Sequence, residues 1–163
     1  MARMREKTQA PHTKAKWYAD GLRFECAGCG HCCRWGEGYV WITERDIRAM
    51  AGHLGLDVLE FARLYVRRVG TAYSLRELPD YRCVLLGADE RCRVYPVRPT
   101  QCRTYPFWPE NVKSADAWHA LEPDCPGLNH GRLFTPAEIA ALSRETDGNW
   151  GQAPISSEIG ACP

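Results

Sequence analysis

Apolar side chains recur at helical spacing in the segment after Thr43. They follow the spacing i, i+3, i+4 and i+7, which marks one buried helix face, at Ile47, Met50, Ala51 and Leu54. Thr43 occupies the N-cap position, and Asp46 three residues later completes a capping box. The pattern predicts a helix that ends near Gly55, a residue type that readily adopts the left-handed conformation of a helix C-terminus.

Two further segments carry the same kind of signal. Asp57, with Glu60 three residues later, predicts a helix over 58–69 that ends at Gly70, with buried positions at Val58, Phe61, Ala62, Tyr65 and Val69. Thr135 is followed by proline at the first helical position and by Glu138 at the third, which predicts a third helix to about Arg144.

Short runs of apolar and β-branched residues predict strands in the remaining segments. The expected strands are 39–42, 73–78, 81–86, 91–95 and 116–121, with 81–86 and 91–95 paired in a hairpin across residues 87–90. Four prolines lie between the predicted hairpin and the last predicted strand, at Pro96, Pro99, Pro106 and Pro109. They predict an irregular, rigid connection around Cys102. The fold class is therefore α+β, with a few short antiparallel strands and about three helices.

Composition narrows the class of protein. A chain of 163 residues suits one domain, predicted over 17–146 between a disordered basic arm at 1–16 and a C-terminal tail at 147–163. A net charge of +1 disfavours a nucleic-acid binder. We find no apolar run of the roughly 18 residues that a membrane span needs. The N-terminus lacks the apolar stretch of a signal peptide, which favours a cytoplasmic location.

Cysteine is the residue type that stands out, with nine in the chain. Cytosolic thiols stay reduced, so this number points to metal ligation rather than to disulfides. Four of the thiols lie within eight residues, at Cys26, Cys29, Cys32 and Cys33. Two residues between ligands let a loop curl so that its sulfurs converge, and the glycines of this segment ease the turn.

The vicinal pair Cys32 and Cys33 suggests two metal sites, because neighbouring side chains diverge along a backbone. One site would use Cys26, Cys29, Cys32 and a distant fourth ligand. The other would use Cys33 with three of Cys83, Cys92, Cys102 and Cys125, which leaves Cys162 as the spare. The sequence does not assign the distant thiols between the sites. His31 could replace a cysteine as ligand, although a hydrogen-bond donor to the ligands or a solvent-facing side chain fits it better, because the surrounding thiols suffice.

The metal is expected to be an iron–sulfur cluster or zinc, with iron–sulfur preferred. Structural zinc sites usually show two CxxC pairs, and here only one compact group exists. The run CxxCxxC with a distant Cys125-Pro126 is similar to ferredoxin ligand runs. One [4Fe-4S] cluster or a mixed pair of sites also fits the count. Arg98, Arg103 and Tyr105 are candidate partners of the anionic centre. In contrast, Arg93 is expected at the surface and Tyr95 in the core.

The segments FECAGCGHCC and RVYPVRPTQCRTYPF and the final CPG resemble those of the YkgJ-type cysteine-cluster proteins. These proteins are described as zinc- or iron-chelating domains with a CxxCxxCC signature, and the resemblance covers about 24–130. It implies that the binding residues are the eight cysteines Cys26, Cys29, Cys32, Cys33, Cys83, Cys92, Cys102 and Cys125. A larger relative, the flagellin lysine N-methylase, has a similar signature and is associated with an iron–sulfur centre.

Three functions remain open at this stage. The first is a metal-binding protein that acts in redox chemistry or as a cluster carrier, together with an unknown protein partner. The second is a redox or group-transfer enzyme with an open coordination position and a pocket near Tyr105, Trp108 or His119, although we find no S-adenosylmethionine motif in the sequence. The third is a structural zinc module that serves as an interaction platform.

Overall fold

Six α-helices and four short strands make up the part of the chain that the computed structural model describes, residues 16–34, 36–148 and 159. In chain order they are β1 Leu22–Phe24, α1 Glu44–Leu54, α2 Val58–Tyr65, β2 Val66–Val69, β3 Ala72–Leu75, α3 Thr100–Thr104, α4 Pro109–Val112, α5 Ala115–His119, β4 Arg132–Phe134 and α6 Pro136–Asp147. The strands form two antiparallel pairs, β1 with β4 and β2 with β3. The α+β class is confirmed.

The helices with the clearest N-terminal signals form as predicted. The Thr43 hydroxyl accepts a hydrogen bond from the Asp46 amide, and the Asp46 carboxylate accepts one from the Thr43 amide at 2.8 Å. Gly55 ends α1 with a left-handed φ of 67°. A second capping box links Thr135 and Glu138 at the start of α6, which runs to Asp147. Because these caps satisfy orphan backbone groups locally, they are visible in the sequence.

The second helix is shorter than the sequence predicts. Asp57 caps it, but α2 ends at Tyr65 and the chain continues as β2, which pairs with β3. Gly70, with φ of 61°, lies in the turn between these strands and not at a helix C-terminus. The predicted helix over 58–69 is therefore wrong in its last turn, because valines at both ends of β2 favour an extended chain paired with a buried neighbour.

Other predicted strands are reduced to isolated bridges. Residues 39–42 meet β3 through a single bridge between Trp41 and Ser74. The chain reversal at 87–90 is present, with one bridge between Leu86 and Cys92, whereas regular strands at 81–86 and 91–95 do not form. The expected hairpin is therefore a tight, irregular loop.

The proline-rich segment is helical rather than irregular. A 3₁₀ turn covers Tyr95–Val97, Pro99 precedes α3, and Pro109 is the first residue of α4. Proline suits the first turn of a helix because its fixed φ matches and its missing N–H is not needed there. The strand predicted over 116–121 is also wrong, because Ser114 accepts a hydrogen bond from the Ala117 amide and starts α5.

Two hydrophobic cores flank the cysteine-rich region. The first packs α1 and α2 against β2 and β3, with Ile47, Met50 and Phe61 fully buried. The second packs α5 and α6 around Phe107, Trp118 and Ile139. Cysteines contact both cores: Cys83 and Cys92 pack against the first core, and Cys125 packs against the second.

The ends of the chain fall largely outside the described residues. The arm predicted over 1–16 and the tail predicted over 147–163, with Cys162, stay predictions apart from four positions, Lys16, Asp147, Gly148 and Ile159. Ile159 is buried in the first core. Within the described ranges no helix has the length and apolar character to cross a bilayer.

Candidate metal centre

The first four cysteines lie on the loop between β1 and α1. Gly28 and Gly30 take left-handed φ values of 65° and 66°, which favour glycine and curl the loop. A Cβ atom at Gly30 would lie 2.5 Å from the carbonyl oxygen of Glu90, so the loop touches the chain reversal at that point. Cys26, Cys29 and Cys32 are exposed, whereas Cys33 is half-buried.

The later cysteines reach this loop through backbone contacts. The Cys83 amide donates a hydrogen bond of 2.8 Å to the Cys33 carbonyl. The bridge between Leu86 and Cys92 brings Cys92 back beside Cys83, and α3 carries Cys102. The Glu25 amide donates to the Gly127 carbonyl at 3.1 Å, which holds the segment of Cys125 against the start of the loop.

The thiols line two adjoining cavities of very different size. The larger, of about 400 Å³ and here called the inner cavity, is lined by the six cysteines Cys26, Cys32, Cys33, Cys83, Cys92 and Cys102. The smaller, of about 40 Å³ and here called the outer cavity, is lined by the four cysteines Cys26, Cys29, Cys32 and Cys125. All eight described cysteines therefore border one cavity or both.

The sulfur atoms share cavities without forming a closed coordination sphere. Among the described residues, no group of three or more His, Cys, Asp or Glu side chains is already arranged around one point as metal ligands. A cysteine side chain turns about a single staggered torsion, so closure requires rotamer changes rather than rebuilding of the backbone. The donor set itself, soft thiols from a glycine-rich loop and four other positions, suits zinc and iron–sulfur clusters.

The vicinal pair behaves differently from the sequence-based expectation. The Cys33 thiol donates a hydrogen bond to the Cys32 sulfur, which lowers the pKa of Cys32 to about 7 and raises the pKa of Cys33. The expected divergence of the two side chains is therefore wrong. Both residues lie in the 3₁₀ turn His31–Cys33, where successive side chains are about 120° apart and not on opposite faces as in a strand.

Burial dominates the electrostatics of the inner thiols. It raises the pKa of Cys83 to about 11, and it raises the pKa of Cys92 and of Cys102 as well. Cys102 keeps some solvent contact because it faces the inner cavity, yet protein surrounds it on the other sides. These thiols are protonated at neutral pH until a metal displaces their protons.

Arg98 and Tyr95 stand together at the mouth of the inner cavity. The Arg98 guanidinium lies 4.0 Å from the Tyr95 ring centroid and donates a hydrogen bond of 2.8 Å to the Tyr95 carbonyl. Its positive charge opposes the effect of burial at Cys92 and Cys102 and favours the thiolate of Cys32. The Tyr95 hydroxyl donates to the Cys26 sulfur, and this hydrogen bond raises the pKa of Tyr95. Tyr95 is 40% exposed, so its expected place in the core is wrong.

Tyr105 lines both cavities; burial raises the pKa of its hydroxyl, and the nearby Cys125 sulfur adds to the rise. Burial also raises the pKa of Cys125, and hydrogen bonding at the Gly127 backbone partly offsets that rise. Arg103, predicted beside the thiols, lies elsewhere: its guanidinium binds the Glu145 carboxylate on α6 at 2.6 Å. Because α3 is helical, Arg103 points to α6 rather than into the inner cavity.

Both His31 and His119 lie beside acidic side chains. His31 lies 3.8 Å from the Asp124 carboxylate at the rim of the outer cavity. His119 binds Glu122 and lines neither cavity, whereas Trp108 lines the inner one. The remaining wall of the inner cavity comes mainly from segments around 36–40 and 75–81. No motif marks that wall, because it depends on the bridge between Trp41 and Ser74.

Comparison with known proteins places the chain in a family. The family model CxxCxxCC, described as "Putative zinc- or iron-chelating domain", matches residues 25–126, which include all eight described cysteines. The chain belongs to the CxxCxxCC family. Its metal-binding character is thereby supported, without a choice between zinc and iron.

One curated relative is the "Uncharacterized protein MJ0661" of Methanocaldococcus jannaschii. It is 32% identical over 84 residues, a segment that covers 50% of this chain and 43% of the relative. The match therefore spans less than half the length of that protein. No solved structure matches the chain.

Proposed function

We propose that this CxxCxxCC-family chain binds metal at two four-thiolate sites and holds an iron–sulfur cluster in the inner one. The outer set comprises Cys26, Cys29, Cys32 and Cys125, and the inner set comprises Cys33, Cys83, Cys92 and Cys102. Cys26 and Cys32 border both cavities. We assign them to the outer set because the outer cavity would otherwise have only two thiols, Cys29 and Cys125. This division uses each described cysteine once.

The difference in cavity volume carries the proposal. The outer cavity, about 40 Å³, is close to the volume of one water molecule, roughly 30 Å³, and suits a single ion. The inner cavity is about 400 Å³, far more than one ion requires. Structural zinc sites are closed around their ion, so a thiol-lined space of this size favours a polynuclear centre.

Charge and hydrogen bonding around the thiols support an anionic centre. Four thiolates around one divalent ion carry a formal charge near −2, which needs nearby donors or cations. Arg98 supplies a positive charge at the inner set, the Tyr95 hydroxyl donates a hydrogen bond to Cys26, and the buried Tyr105 hydroxyl lies near Cys125. Apolar side chains such as Leu85 and Val94 limit the access of water.

A cluster bound there would supply one-electron redox chemistry or be passed on as cargo. The residues of the chain hold the sulfur ligands, keep the inner cavity largely apolar and stabilise negative charge through Arg98. The proposal includes a second protein, with which this chain would exchange electrons or to which it would deliver the cluster.

Anaerobic purification followed by analysis of iron, acid-labile sulfide and zinc tests the proposal. We expect a brown protein with iron and sulfide, with broad absorbance near about 400 nm that dithionite bleaches. Colourless protein with two zinc ions per chain would replace this proposal with the structural zinc module. Protein that takes up no metal at all would contradict metal binding by these cysteines.

A second candidate function rests on the part of the inner cavity that is lined by residues other than cysteine. The volume of this cavity, about 400 Å³, lies within the range of about 300–1,000 Å³ typical of small-molecule sites, and Tyr39, Leu75 and Trp108 are among its lining residues. A redox or group-transfer enzyme would leave one iron without a cysteine ligand. Single replacement of each inner cysteine by alanine separates the two functions, since one of the four variants would then keep all of its iron.

A further inference from the structure

The two sets of thiols differ in how they are attached to the fold. Three of the four outer cysteines are exposed, whereas all four inner cysteines are half-buried. Cys29 lines the outer cavity only, and Cys83 lines the inner cavity only. These two residues therefore report separately on the two sets.

The loop that carries three of the outer ligands, Cys26, Cys29 and Cys32, belongs to neither hydrophobic core. Its backbone is fixed at Gly30, beside the Glu90 carbonyl, and at the Cys29 carbonyl, which accepts a hydrogen bond of 3.0 Å from Arg34. The three cysteines are exposed, so their sulfurs can be released by side-chain rotation without opening a core.

Cys125 provides a fixed point during such a release. Its side chain packs against the second core, and the buried Tyr105 lines the same outer cavity. The neighbouring Gly127 is buried and its carbonyl accepts the Glu25 amide. A metal ion could thus stay on Cys125 while the loop thiols exchange.

The inner ligands require coordinated movement. They come from four separate places in the chain, and Cys83 is tied to Cys33 by a backbone hydrogen bond of 2.8 Å. Cys83 and Cys92 pack against the first core. Release of an inner metal would therefore open several core contacts at once, which costs more free energy than the motion of one loop.

We infer that the outer set is an exchange site, which passes its metal ion to an incoming thiolate ligand or receives the ion from one, while the inner set retains its metal. The inference rests on the proposed two-site function. In each exchange the bond from metal to a loop sulfur breaks and a bond to the incoming sulfur forms. The released cysteine takes up the proton that the incoming thiol loses, so charge and atoms balance and no electron moves.

Metal release from the purified holoprotein tests the inference. Total metal per chain is measured first, and this step alone decides the two-site proposal. Glutathione at increasing concentration is then added anaerobically, and the protein-bound metal is analysed after rapid desalting at successive times. We expect two phases whose rates differ by at least about tenfold, with the fast rate rising with glutathione concentration. A single phase from protein that holds both metals would overturn the exchange inference and leave the two-site proposal standing.

Two further arms identify the incoming ligand. A synthetic peptide with two CxxC pairs, added at one equivalent, tests transfer to protein thiolates, and acceleration by the peptide at that level would indicate a protein partner. Acceleration by glutathione alone would indicate a small thiol. EDTA, which has no sulfur, should give a fast phase independent of its concentration. Release that is equally fast and concentration-independent with all three reagents would show dissociation without exchange and contradict the inference.

Matched variants show which set of thiols gives the fast phase of metal release and which gives the slow phase. Cys29→Ser should remove the fast phase and keep the slow one, whereas Cys83→Ser should do the reverse. A second measurement uses the wild-type protein and needs no variant. Cysteines are alkylated during metal release, and mass spectrometry identifies which of them are modified at each time. Iodoacetamide should modify Cys29 in step with the fast phase and Cys102 only in the slow phase. Equal modification of Cys29 and Cys102 over time would contradict the assignment.

Discussion

Arg98 places a fixed positive charge beside thiols that would become anionic on metal binding. Its guanidinium is held against the Tyr95 ring and carbonyl, so the charge has a defined position. A positive charge near an iron–sulfur cluster stabilises the reduced form, which is the more negative one. We therefore expect Arg98 to raise the reduction potential of the proposed inner centre.

Replacement of Arg98 by glutamine should lower the reduction potential of the inner centre by an amount on the order of tens of millivolts. A redox titration followed near about 400 nm measures the change. Arg103→Gln is the matched control, because Arg103 binds Glu145 on α6 and lines neither cavity. Equal shifts in the two variants would mean that Arg98 has no specific role.

Tyr105→Phe removes a buried hydroxyl near the Cys125 sulfur. On metal binding Cys125 becomes a thiolate to which this hydroxyl can donate. Loss of such a hydrogen bond weakens metal affinity by about 10–100-fold, and the effect should fall on the outer site. Competition with a chromophoric chelator measures the affinity of each site. Tyr65→Phe, whose hydroxyl lies 3.5 Å from Arg93, should leave both affinities unchanged. A loss confined to the inner site would contradict the assignment of Cys125.

At the scale of elements, the sequence predicted what local contacts determine. The capping boxes of Thr43 and Thr135 lie within one turn of the helices that they start, so α1 and α6 were predicted at the right place. The end of α2 was not, because β2 exists only through pairing with β3. The sequence predicts a strand in place of α5, because five residues show too little of a helical period.

The glycines of the cysteine loop provide a paired test at this scale. Gly28 and Gly30 have nearly the same left-handed φ, but only at Gly30 would a Cβ atom meet backbone, the Glu90 carbonyl oxygen at 2.5 Å. Both alanine variants carry the cost of the left-handed conformation, about 1 kcal/mol. We expect Gly30→Ala to lower the unfolding free energy and the metal content further than Gly28→Ala does. Equal losses in denaturant titrations would show that the contact with Glu90 does not position the loop.

At the scale of the whole molecule, the sequence predicts which cysteines gather around the two cavities but not how they divide between them. The dense run of thiols in the first loop is a local signal, and the later single cysteines are its predicted partners. The assignment of Cys125 to the loop set depends on contacts between residues about one hundred positions apart, such as Glu25 with Gly127. Such contacts leave no mark on spacing or composition.

Metal affinity of the whole molecule should rise with pH. Burial raises the pKa of Cys83 to about 11 and raises the pKa of Cys92 and Cys102, so at neutral pH these thiols carry protons that a metal must displace. Protons and metal compete, and acidification from about pH 8 to pH 6 should weaken binding steeply at the inner site. Zinc titration of the metal-free chain in weakly buffered solution should release protons. Affinity that does not depend on pH would contradict the protonated state of these thiols.

Ile159 is 1% exposed and lies in the first core beside side chains from α1 and α2. A recombinant product that stops at residue 148 would lack this side chain and contain a void in its place. Loss of a buried isoleucine costs about 2–5 kcal/mol, a large share of the roughly 5–15 kcal/mol that stabilise a typical domain. Comparing the melting temperatures of the shortened and full-length proteins measures that cost. The shortest version suitable for biochemistry thus extends past position 159, and an affinity tag is better placed at the opposite terminus.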